Sequence, residues 1–177
     1  MSLGPDNSRI RSVFGDNCQL KFGASPAWTK LGKTNKTFLK DTPSSSTSKF
    51  SNGASLKSYN GEEVTLEVEI AQTSKEEIDT LRALRGTSVP VYFDAGKVGG
   101  KLQDFYAPEG MILDAVELES GASDNMKIKL MISITPQAAP VVVTPSTGLP
   151  ADAKSHSIAT SQTSVNNYYL FIETAPS

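Results

Sequence analysis

A chain of 177 residues, 38% of them hydrophobic, is long enough to bury one core but short for two independent ones. Its 17 basic and 19 acidic side chains leave a net charge of −2, which supplies no bulk attraction to nucleic acid or an anionic membrane and argues against tight binding through phosphates. The single cysteine, Cys18, rules out an internal disulfide, so stability has to come from packing or from association in a reducing compartment.

The first residues, Met1-Ser2-Leu3-Gly4-Pro5-Asp6, carry neither the basic nor the apolar region of a signal peptide, and the longest apolar run is far too short to cross a bilayer. Synthesis and retention in a cytoplasm, without a membrane anchor, are therefore expected. Strands are expected at Cys18–Phe22, at Thr37–Lys40 and near Ala54–Tyr59. Between the last two, residues 41–53 form a serine-dominated polar stretch with little to bury, which reads as a long polar loop. Val64, Leu66, Val68 and Ile70 then alternate with Thr65, Glu67 and Glu69, the pattern of a half-buried antiparallel strand.

A helix is expected over about 74–85. Ser74 and Glu77 have the spacing of a capping box, Ile78, Leu81 and Leu84 make one apolar stripe, and Arg82 and Arg85 precede the stop at Gly86. Val89-Pro90-Val91-Tyr92-Phe93 follows as a strand whose early proline suits an edge or a strand start. Residues 96–101 read as a glycine-rich hairpin turn, 101–106 as a strand, 107–110 as a turn and 111–119 as a further strand, with 121–125 turning the chain. Met126, Ile128, Leu130, Ile132 and Ile134 alternate again, and Lys127 and Lys129 are placed to face Glu67 and Glu69 if the two strands are neighbours.

Beyond residue 135 the composition changes. Pro136, Pro140, Pro145 and Pro150 punctuate an Ala-, Val-, Ser- and Thr-rich segment that reads as an extended arm ending in a short aromatic strand at 165–173. The expected organisation is thus a β-rich core domain over 1–135 and an arm over 136–177. The expected fold is mainly β, an antiparallel sandwich or partly closed barrel with one flanking helix. Tyr168, Tyr169, Leu170, Phe171 and Ile172 are too apolar to remain in water, and the long spacer before them favours docking on a neighbouring copy as an inter-subunit arm.

No constellation for catalysis stands out. His156 is the only histidine and lies in the proline-rich segment, which leaves neither a rigidly held general base nor a multi-histidine metal site. Gly96-Lys97-Val98-Gly99-Gly100-Lys101 lacks the spacing of a phosphate loop and has Leu102 where Ser or Thr belongs. Asp94, Asp104, Glu109 and Asp114 are close in sequence, but solvated acids on a hairpin explain them without a glycosidase. The expectation is a chain that is not an enzyme and uses no cofactor or metal.

The order of Trp28, the strand Val64–Ile70, the helix Ser74–Leu84 and the strand Val89–Asp94 resembles the major tail tube proteins of phages and, more remotely, the tube proteins of contractile injection machines. The stretch Gly23–Thr34, small residues around Trp28 followed by a strand, is similar to the start of many tail proteins, and the likeness spans about residues 15–135. It implies a virion protein, made in the host cytoplasm, whose copies join sheet to sheet into rings that stack as a hollow tube alongside other tail proteins. DNA would pass without being gripped, with Glu67 and Glu69 as candidate lumen-facing residues. The alternative is a β-sandwich that binds or decorates: a capsid decoration, a baseplate part or a carbohydrate-binding module.

Overall fold

A computed structural model describes residues 14–21, 28–31, 33–71, 75–98, 100–118 and 127–175. Along the chain lie β1 (Phe14–Lys21), β2 (Trp28–Lys30), β3 (Lys33–Lys49), β4 (Ser55–Ala71), α1 (Lys75–Ala83), β5 (Ser88–Val98), β6 (Lys101–Leu118) and β7 (Lys127–Ile134). They are followed by β8 (Val142–Val143), the single turn α2 (Pro145–Gly148), β9 (Gln162–Thr163) and β10 (Leu170–Thr174). The chain is mainly β, as its alternating patterns predict. Ser74, the turn at 121–125, Met126 and residues 22–27 lie outside the described residues.

The main sheet runs β10-β6-β5-β1-β3-β4-β7, with β2 against β1, and β6 pairs a second time with β7, so the sheet curls back on itself. The seam between β1 and β3 is two residue pairs wide, Phe14↔Phe38 and Gly15↔Thr37, which leaves a partly closed barrel rather than a sandwich. Alternation delivers Leu39, Val64, Leu66, Val68, Ile70, Ile128, Leu130 and Ile132 to the interior, together with Cys18, Leu20 and the stacked rings of Phe93 and Phe105, 4.5 Å between centroids. Burial pushes the Cys18 thiol up to about 12. Ile78 and Leu81 of α1 join this core, and Gly86, at φ +78°, ends the helical segment and donates its N–H to Ile112 O at 2.8 Å.

Four expectations are corrected. Residues 41–53 are not a loop: β3 and β4 continue as a hairpin from Asp41↔Val64 to Lys49↔Ser55, because Ser and Thr tolerate extended backbone and the Asn52-Gly53 turn brings the strands together. β5 is central, between β1 and β6; Pro90 is accommodated because it falls at a register shift between Val89 and Val91, where its missing N–H leaves no broken ladder. Residues 107–110 form no turn, and β6 runs through them, exchanging β10 at Leu102–Tyr106 for β7 at Gly110–Leu118. Gly110 permits that passage, since a Cβ there would lie 2.5 Å from Val91 Cγ2 and 2.7 Å from Ile132 Cγ2.

The fourth correction concerns the C-terminal arm. Residues beyond 135 are packed, not extended: Val141, Val143, Leu149 and Ala153 form a second apolar cluster with Tyr92, Leu170 and Ile172 on the outer side of the wall. The last strand starts at Leu170 rather than 165, because Asn166 Oδ1 accepts from the N–H groups of both Tyr168 and Tyr169 at 2.9 Å and holds a turn there.

Candidate assembly surface

From Thr42↔Glu63 outward, β3 and β4 are paired with each other and, among the described residues, with no other strand. Eight residues of strand, Thr42 to Lys49, reach about 26 Å at roughly 3.3 Å per residue. Residues 45–57 are all exposed, the tip included. The tip is a closed turn in which Phe50 N–H donates to Ala54 O at 2.9 Å, Gly53 N–H to Phe50 O at 3.1 Å and Ala54 N–H to Asn52 Oδ1 at 3.0 Å. Gly53 takes φ +85°. Two large apolar side chains stand out of this polar ribbon, Phe50 at 53% and Leu56 at 54% exposure. Sequence reading missed both, although Asn52-Gly53 is a strong hairpin signal and Phe50 and Leu56 are isolated apolar residues in a serine run.

At the root of the hairpin the ladder shifts register between Ser44 and Ser45, opposite Gly61 at φ +103°. Tyr168 Oη donates to Glu62 O at 3.1 Å and accepts from Glu62 N–H at 3.4 Å, while Tyr169 Oη donates to Asp41 Oδ2 at 2.7 Å. Of the five candidate arm residues, Tyr169 is buried in the main core with Tyr168 and Phe171 against it, and Leu170 and Ile172 enter the second cluster. Their strand pairs with β6 of its own chain, Leu170↔Tyr106 through Thr174↔Leu102. The physical reason is that the outer side of β5 and β6 is apolar at Tyr92 and Tyr106 and lies within reach of the segment that returns to it.

Glu67 and Glu69 lie on the outer side of β4, half-buried, opposite Met131 and Lys129 of β7 and Phe38 and Lys36 of β3. Lys129 Nζ reaches Glu67 Oε2 at 3.0 Å, diagonally to the register, so the expected cross-strand charge pairing forms on this face. Of the carboxyls near the β5–β6 hairpin, Asp94 and Asp104 are cross-strand partners, whereas Glu109 and Asp114 lie farther along β6. Asp94 Oδ2 pairs with Lys154 Nζ at 2.9 Å, and Asp114 pairs with Arg85. Glu109 is exposed.

Asp104 is buried and accepts from Tyr92 Oη at 2.9 Å, Ser155 N–H at 2.8 Å and Ser155 Oγ at 2.6 Å. Burial first, and the charge of Asp104 next, raise the Tyr92 hydroxyl well above the ordinary phenol range. With Gln19 Nε2 donating to Asp152 Oδ1 at 2.8 Å, residues 152–155 are fastened to β1, β5 and β6 in turn. His156 sits beside this network, with Nδ1 buried and, among the described residues, without a hydrogen-bond partner. Among the described residues no three His, Cys, Asp or Glu side chains converge as a metal site, and no helix is long and apolar enough to cross a membrane.

No protein-family model and no curated protein matches the sequence. Among solved structures it is similar to a chain of the cryo-EM structure of the anti-feeding prophage baseplate, 6-fold symmetrised, at 14% identity and a TM-score of 0.43, over 75% of this chain and 92% of that one. At that level the likeness carries no inference about this chain.

Proposed function

We propose that this chain is a structural subunit of a phage-like tail that joins copies of itself into rings and stacks those rings into a hollow tube. The observation that carries the proposal is the hairpin: a two-stranded ribbon standing clear of its own barrel is marginal in water, and this one ends in exposed Phe50 and Leu56. Such a ribbon gains its stability from a partner, and a second copy is always present in an assembling protein. The sequence resemblance to tail tube proteins points the same way. Other tail proteins complete the assembly, in the virion and, before that, in the host cytoplasm.

The mechanism in this reading is passive, with no chemical step, cofactor or metal. The face of β3, β4 and β7 suits a DNA passage because its acids, Glu67 among them, are balanced by lysines, so it neither attracts nor strongly repels phosphates. Glu67 and Glu69 are the proposed lumen residues. The test is negative-stain microscopy of the concentrated protein beside a Phe50→Ser/Leu56→Ser variant. Rings or tubes that disappear in the variant support the proposal. Small separate particles at every concentration sink it and favour a binding or decoration module.

A further inference from the structure

We infer that Tyr168 and Tyr169 form a lock on the root of the hairpin, so that docking of the C-terminal strand sets the direction in which the hairpin projects. The lock closes where the ribbon leaves the barrel, just on the core side of a register shift. Between Ser44↔Gly61 and Ser45↔Tyr59 the register leaves one extra residue, Asn60, in β4 beside Gly61 at φ +103°, and such a bulge bends and twists a ribbon. Outward of that point the ribbon is exposed and has no other strand to hold its bearing among the described residues.

The two tyrosines take one strand each. Tyr168 Oη uses both its donor and its acceptor on the Glu62 backbone of β4, beside Gly61, and Tyr169 Oη donates to the Asp41 carboxyl of β3. Their own positions are fixed from behind. Asn166 Oδ1 accepts from both their N–H groups, Ser164 Oγ donates to Tyr169 O at 2.7 Å, and Asn167 Nδ2 donates to Gln137 O at 2.7 Å. The Tyr169 ring is wedged against Phe105 and Phe171, each 5.5 Å away. A rigid anchor thus holds both strands of the ribbon where they leave the barrel, on the core side of the bulge, and the anchor depends on β10 being seated on β6. Main-chain contacts to Glu62 make the lock depend on the bulge geometry and not on the side chain at 62. The inference concerns the single chain and stands whether or not the assembly reading does.

Paired spin labels on Ser51→Cys at the tip and Asp79→Cys on α1, in the full chain with Cys18 buried and unlabelled, measure the bearing directly. One narrow distance distribution is expected for the parent. In Tyr168→Phe/Tyr169→Phe, which keeps both rings, the distribution broadens about twofold while the thermal transition stays cooperative. An unchanged width in that folded variant overturns the lock. Tyr168→Phe alone leaves the buried Tyr169 untouched and decides the matter if the double variant does not fold: broadening supports the lock, and the parental width overturns it.

Discussion

Over β1, β5, β6 and β10 the outer side of the barrel wall is buried under residues 141–158, whereas over β3, β4 and β7 it stays half-exposed. The two faces solve the same problem, polar groups on a sheet, by different physics. On the covered face each buried polar group needs its own partner, as Asp104 has in Tyr92 and Ser155. On the open face solvent supplies most of the compensation, and the Glu67–Lys129 pair only trims it. Substitutions should therefore be felt very unequally on the two sides.

The largest expected effect comes from removing the cover. Truncation after Thr135 strips Tyr169 from the main core, removes Leu170 and Ile172, and exposes Tyr92 and Asp104. At about 1.5–3 kcal/mol for each buried apolar side chain, the loss is comparable to a whole stability margin of about 5–15 kcal/mol. Calorimetry should find no cooperative transition in the truncated chain. A retained transition would mean that the barrel stands alone and the cover is an accessory.

Asp104→Ala tests the covered face at one residue. It leaves the Tyr92 hydroxyl and the Ser155 N–H and hydroxyl buried and unsatisfied, for an expected loss of about 3 kcal/mol read from the urea midpoint. A loss below about 1 kcal/mol would show that water enters the site. Gly110→Ala probes the apolar interior that both faces share. The new methyl meets Val91 and Ile132 at the 2.5 and 2.7 Å separations, and overpacking of this kind costs about 1–3 kcal/mol. An unchanged urea midpoint would show that β6 can shift there.

The open face and the interior were legible in the sequence because strict alternation, Val64 to Ile70 and Ile128 to Ile134, encodes a sheet with one dry side. The helix was legible from its stripe and its glycine stop. The covered face was not, since Asp104 and Ser155 are 51 residues apart and nothing local distinguishes a buried, partnered acid from a solvated one. Pro90 and residues 107–110 misled for a related reason: they mark bulges when the neighbouring strand supplies continuity, and turns when it does not. The hairpin was half-legible, through Asn52-Gly53, but its serine-rich strands carry no alternation because neither side of them is buried.

The smallest expected effect lies on the open face and is the most diagnostic of its character. Lys129 and Glu67 are 39% and 37% exposed, so screening limits their 3.0 Å pair to about 0–1 kcal/mol. Glu67→Gln should lower the urea midpoint slightly at low salt, and the two curves should converge near 1 M salt, where the Debye length is about 3 Å. A loss above about 2 kcal/mol, or one indifferent to salt, would mean that the pair is effectively buried and that the face is not a solvent-facing wall. The same face carries the charge argument for passage. Glu67→Lys/Glu69→Lys changes the net charge from −2 by +4 to +2 and turns a balanced patch basic. If this surface lines a DNA path, the folded variant should acquire salt-sensitive duplex binding that the parent lacks, read as a mobility shift that fades with added salt. Equal, negligible binding by both proteins would move the proposed lumen off β4.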